Sequence, residues 1–236
     1  MRPVKKGDWP LKSNSKTARL LFNDWTRAIP HLRLSTGDYC HLCEMRVTNA
    51  IAIEHIQPKE HFPALANDWN NFLLICNYCN SEKLDTIPVT DYRINYIWPH
   101  LNNTILAFDM DLTTGFIIPR AGLTHEDTQR VRQLITLYGL NKVRNANGAS
   151  DPRYLERISA LYLAVKRRIE YDRGQATVAA IVDMAKTKGF FTVWLKIFED
   201  VPNVRAALIQ CQEFKVPLND CFDSALKPKR RSANDI

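Results

Sequence analysis

The sequence predicts an α+β protein: a small metal-stabilised ββα unit, then a β-hairpin, then a mainly α-helical C-terminal region. Three observations carry this expectation. Two C-x-x-C pairs, Cys40/Cys43 and Cys76/Cys79, bracket β-branched runs such as VTNAIAI and a proline-bearing loop. The segment NTILAFDMDLTTGFIIP sets two β-type runs around a DLTTG turn. Beyond residue 120 the apolar residues recur at helical spacing.

A chain of 236 residues with 45% apolar, 24% charged and only 8 Gly has the composition of an ordinary globular protein and can bury a core. The start, MRPVKKGDWP, has positive charges but no apolar run behind them, and no stretch of 18 apolar residues follows anywhere. A soluble cytoplasmic protein with no membrane partner is expected. In that setting six cysteines are thiols or metal ligands, since cytosolic thiols stay reduced.

Four segments are expected. Residues 1–36 form a basic N-terminal segment, in which Leu20, Leu21, Trp25, Ala28 and Ile29 predict a helix over 15–29 that Pro30 stops. Residues 37–120 hold the ββα core and the hairpin. Residues 121–226 are helical: Thr124 and Asp127 read as a helix start, Asp151 with Pro152 as a second, and two or three shorter helices follow to about residue 215. Residues 227–236 read as a basic flexible tail. Residues 1–36 carry eight Lys/Arg against two Asp, and KPKRR adds four more positives near the end. Such ends suit an anionic polymer, because each cation placed on a phosphate releases a counterion; a solubilising role is the equal alternative.

Four thiolates from Cys40, Cys43, Cys76 and Cys79 suit tetrahedral zinc, and the 32 residues between the pairs leave room for something functional. Redox chemistry is the weaker reading, because no thioredoxin-like βαβ pattern surrounds either pair. Cys211 and Cys221 lack a partner motif and read as buried thiols. Between the pairs, Glu54, His55 and Asn80 offer what phosphodiester hydrolysis needs: a base for water and hard oxygen ligands for a cation. Because side chains alternate along a strand, Glu54 and His55 need a turn or a strand end to converge on one phosphate. The run KRR at 166–168 and the other histidines, His31, His41, His61, His100 and His125, read as surface or core, with His41 and His61 the two that could approach zinc or substrate.

IEHIQPK, WNNFLLICNYCNSEK and the flanking knuckles resemble an HNH endonuclease of the ββα-metal type. The resemblance implies His55 as general base, Glu54 and Asn80 as ligands of Mg²⁺ or Mn²⁺, and Asn71 as brace of the loop carrying the base, with Asn70 a competing choice. Lys59 and Lys83 become candidate contacts to the substrate, Lys83 one helical turn beyond Asn80. A wider likeness, through MRPVKKG and YIWPHLNNTILAF, is to the PtuB-like nuclease subunits of Septu-type anti-phage defence, which also occur in some retron systems. It implies a PtuA-like ATPase partner and, in retron versions, a reverse transcriptase with its DNA–RNA hybrid. The alternative is a non-catalytic, zinc-stabilised nucleic-acid-binding or adaptor module, which would need the cysteines and the basic ends but not His55.

Overall fold

The computed structural model describes residues 1–49, 51–83 and 92–231. Its ββα unit is built on two antiparallel strands, β1 (Ile51–His55) and β2 (Phe72–Cys76), paired from Ile51 with Cys76 to His55 with Phe72. Every residue of β2 is buried, which explains its unbroken apolar run FLLIC: both faces meet core. The first helix, α1 (Ile29–Thr36), packs against this pair, and α2 (Asn77–Lys83) follows β2 directly.

The N-terminal expectation needs correction. No helix covers residues 15–29; an isolated bridge joins Leu11 to Arg19, a 3-10 turn spans Trp25–Ala28, and α1 then begins. Pro30 lies in the first turn of α1, where a missing N–H costs nothing, so it opens this helix instead of closing an earlier one. Nor does the basic segment present all its charge to solvent. Arg2 is buried beneath the Tyr39 ring and donates to the Phe214 carbonyl, and Lys6 donates to the carbonyls of Trp69, Asn70 and Phe72 at 2.9, 2.8 and 2.9 Å. Both cations serve as internal pins on backbone oxygens. At the other end, residues expected in a flexible tail are held: Phe222 bridges Pro228, and Arg231 donates to the carbonyls of Val4 and Pro99. Residues 232–236 lie outside the described part.

Two short helices, α3 (Tyr92–Asn95) and α4 (Thr104–Ala107), lead to the expected hairpin of β3 (Phe108–Met110) and β4 (Ile117–Pro119). The helices α5 (His125–Leu137) and α6 (Pro152–Asp172) start where the sequence indicates. Thr124 accepts from the Asp127 amide at 3.1 Å, and Asp151 accepts from the Arg153 amide at 2.8 Å with Pro152 in the first turn. Then α7 (Val178–Lys188), α8 (Phe191–Ile197), α9 (Pro202–Gln210) and a last turn, α10 (Leu218–Cys221), complete the lobe.

Two apolar clusters result. One gathers the ββα unit with Phe22, Trp69 and Trp98 and extends into α5 through Val131, Leu134 and Tyr138; the other surrounds Trp194, Phe190 and Phe198. The two clusters interleave along the chain: the first reaches Leu140 because α5 turns its apolar face to it, while Tyr39 and Ile105 belong to the second. Among the described residues no helix is long and apolar enough to cross a membrane.

Candidate active site

The two knuckles come together. Cys40, Cys43, Cys76 and Cys79 are all buried, and their sulfurs lie within 4.8 Å of one another, Cys43 to Cys76 at 3.7 Å. Four sulfurs at about 2.3 Å from one ion sit roughly 3.8 Å apart at the corners of a tetrahedron, so the cluster fits zinc. Burial opposes ionisation of these thiols, yet hydrogen bonds from Cys43, Cys76 and Cys79 hold Cys40 well below the usual thiol range while Cys43 and Cys79 are pushed above it. His41 is not a fifth ligand: its Nδ1 accepts from the Leu74 amide at 3.2 Å and its Nε2 meets Thr36 Oγ1 at 2.8 Å. Cys221 is buried as expected, but Cys211 is half-buried and faces Glu213 at 3.2 Å.

Glu54 and His55 close β1, and strand alternation sends them to opposite faces. His55 is half-buried, edge-on to Trp25 and Phe72 at 5.4 Å each. Its Nε2 lies 2.9 Å from the Ala66 carbonyl oxygen. A carbonyl only accepts, so Nε2 carries the proton and Nδ1 keeps the lone pair. Burial lowers the imidazole's pKa, and the positive charges of Lys59 and Lys83 lower it further against the Ala66 carbonyl, so the ring is neutral and basic at pH 7.

Asn71 is buried behind that loop. Its Oδ1 accepts from the Gln57 amide at 2.8 Å, and its Nδ2 donates to the carbonyls of Gln57 at 2.9 Å and Leu65 at 3.2 Å. The loop that begins after His55 is therefore tied at both ends to one side chain, whereas Asn70 is exposed and contributes only its backbone.

Lys83 and Glu54 depart from expectation. The Lys83 ammonium does not reach the surface: it is 5% exposed and donates to the Glu54 carboxylate and to the backbone oxygens of His55 and Ile56. The residue sits on the inward side of α2, where a buried carboxylate and two free carbonyls give its charge more than an open groove would. Glu54 also accepts from Tyr138 Oη at 3.1 Å. Burial raises its pKa against the pull of Lys83, but with Lys83 and Tyr138 both on Oε1 the carboxylate is engaged from two sides. Asn80 is exposed on α2. Lys59 lies where a substrate contact would be useful, its ammonium 3.9 Å above the Trp25 ring that flanks His55. His61 is exposed on the same loop. In the KRR run only Lys166 is exposed; Arg167 reaches Glu170, and Arg168 is tied to Asp172 and Asp200. A cavity of about 350 Å³ lies elsewhere, among Met1, Glu44, Met110, Arg157 and Thr192, and includes none of the residues around His55.

Sequence reasoning missed Trp25 and Tyr138 as neighbours of the site, and the inward turn of Lys83. The first two read as core aromatics, and nothing in the spacing of a lysine says which way it points.

This part of the chain is similar to known proteins. Residues 39–86 match the HNH endonuclease family model, a span that begins just before Cys40 and ends just after Lys83. Over 198 residues the chain is 23% identical to the Septu protein PtuB of Bacillus thuringiensis, covering 70% of this chain and 76% of that protein. The four-cysteine cluster, the His55 strand end and the Asn71-braced loop all lie within the residues that match the HNH endonuclease model.

Proposed function

We propose that the protein is a nuclease that hydrolyses phosphodiester bonds of nucleic acid, with His55 as its general base. The observation that carries this reading is the fixed Nε2 contact to Ala66, which leaves Nδ1 as the basic atom of a neutral imidazole at the edge of the domain. In the reaction Nδ1 takes a proton from water, the water oxygen bonds to phosphorus, and the bond to the 3′ oxygen breaks as that oxygen takes a proton from solvent, leaving a 5′-phosphate and a 3′-hydroxyl. Because water is the nucleophile, DNA and RNA, including tRNA, are both chemically open. Lys59, beside Trp25, supplies positive charge for the phosphate backbone.

Mg²⁺ or Mn²⁺ between Glu54 and Asn80, as the family likeness implies, does not fit the side chains as they stand. Lys83 already neutralises Glu54, and Tyr138 occupies the same oxygen. A cation there would require Lys83 to withdraw, so no step is routed through it. The likeness to a Septu protein supports a role in anti-phage defence, with a PtuA-like ATPase as the restraining partner. A nuclease free in its own cell is dangerous, so the isolated chain is expected to be weakly active.

The test is to express the chain with and without a PtuA-like ATPase, wild type beside His55→Ala, in the presence of Mg²⁺, and to map cut nucleic acids and their end groups. Cleavage by wild type alone, with equal zinc content in both, supports the reading. Equal behaviour of the two would sink it and leave a zinc-stabilised binding module.

A further inference from the structure

Each zinc knuckle is held by a different helix of the C-terminal lobe. Glu44, directly after Cys43, has its carboxylate on the Thr192 amide at 2.9 Å and its carbonyl on the Phe190 amide at 3.0 Å, so it caps α8, which has no capping side chain of its own. Met45 bridges Gly189, where an added Cβ would stand 2.9 Å from the Glu44 carbonyl oxygen. The second knuckle meets α6. Arg153, 1% exposed, points Nη1 at Cys79 Sγ, 3.7 Å away, and at the Tyr138 carbonyl, 2.7 Å away. Asp151 grips the opposite edge of the guanidinium, at Nε and Nη2, and so aims Nη1 at the sulfur.

One turn along α6, Arg157 is 2% exposed. Its Nε and Nη2 donate to the carbonyls of Gly115 and Leu140, but Nη1 is buried with no hydrogen-bond partner. An orphaned donor on a buried guanidinium is costly, and no carboxylate pairs with it among the described residues. The counterpart lies in the cysteines. Zinc with four thiolates carries two net negative charges, and burying them requires positive charge nearby. Arg157 and Cys43 line the same cavity, and Arg153 Nη1 meets Cys79 Sγ at 3.7 Å.

We propose that the four-cysteine centre is the clasp between the HNH domain and the helical lobe, with Arg153 and Arg157 as its counter-charges. Zinc binding and docking of α6 are then one event: the lobe neutralises the centre, and the centre gives the two buried guanidinia their reason to be buried. The proposal concerns this chain's response to zinc and stands whether or not the chain cuts nucleic acid.

The experiment uses the full chain loaded with zinc. Zinc transfer to a chromogenic chelator is timed for wild type, Arg153→Met, Arg153→Lys, Arg157→Met and, as control, Arg168→Met at the far end of α6. Removing one charge-assisted contact should shorten the half-time about tenfold for Arg153→Met and Arg157→Met. Arg153→Lys should fall between, and Arg168→Met should stay within about twofold of wild type. In parallel, hydrogen exchange of wild type before and after chelation should show α6 from residue 152 and α8 from residue 191 losing protection together with both knuckles. Unchanged half-times in folded variants, or exchange confined to the knuckles on chelation, would overturn the proposal. If the methionine variants do not fold, the wild-type exchange measurement decides alone.

Discussion

Glu54 and His55 are neighbours in sequence with opposite fates. Glu54 faces Lys83 and Tyr138 in the interior, while His55 faces Trp25, the Ala66 carbonyl and the loop of residues 56–71. One strand thus ends in a carboxylate tied into the interior and an imidazole on the other face, separated only by the pleat. In this domain the charged residue beside His55 works as structure, and the His55 backbone is held from behind. Lys83 holds the carbonyls of His55 and Ile56, and Asn71 holds both backbone groups of Gln57, so the backbone under the imidazole is fixed over three residues.

The comparison can be broken most forcefully at His55. His55→Ala should lower cleavage by about 10²–10⁴-fold, the usual range for a lost general base, while thermal stability and zinc content hold. Lys83→Met tests the other face: it leaves a buried carboxylate unpaired and should cost about 3 kcal/mol of stability in denaturant unfolding, a loss that Glu54→Gln in the same chain should partly restore. If Lys83→Met is instead fully stable and only weakens substrate binding, Lys83 belongs to the chemical face after all. Asn71→Ala should be intermediate, about 1–3 kcal/mol, with activity falling at unchanged substrate affinity because the loop loosens around the base.

Two finer measurements sharpen the contrast. Burial lowers the pKa of His55, so the acid limb of kcat/KM should lie below the ordinary histidine value of about 6.5, and activity should persist into mildly acid solution. His41, buried and near Arg2, is lowered well below its ordinary value. The unfolded chain takes up a proton near pH 6.5 that the folded chain refuses, so stability should fall as pH drops below about 6.5 and hold above it. Smallest of all, Lys59→Ala should leave stability within about 1 kcal/mol and weaken nucleic-acid binding a few-fold, more at low salt than at high.

Much of the domain was legible in the sequence. The cysteine spacing pointed to the cluster, the β-branched run VTNAIAI to β1, and Thr124 and Asp151 marked two helix starts, because each signal is local. What escaped was the direction of charged side chains. Arg2, Lys6, Lys83, Arg153 and Arg157 all turn inward, and each does so for a carbonyl, carboxylate or sulfur far away in sequence. Charged residues default to the surface in any pattern-based reading, and only the tertiary partner overrides that default. Pro30 misled for a related reason: the same residue ends one helix or begins another, and the choice depends on which neighbouring segment has a core to pack on.

The loop of residues 56–71 is tied down at Gln57, Leu65 and Ala66, while Glu60, His61, Pro63 and Ala64 between the ties are exposed. Anchors and tip are therefore separable in inheritance and in the laboratory. Substitutions at 60, 61, 63 and 64 can therefore reshape the surface beside the imidazole while the ties that hold its Nε2 contact stay in place.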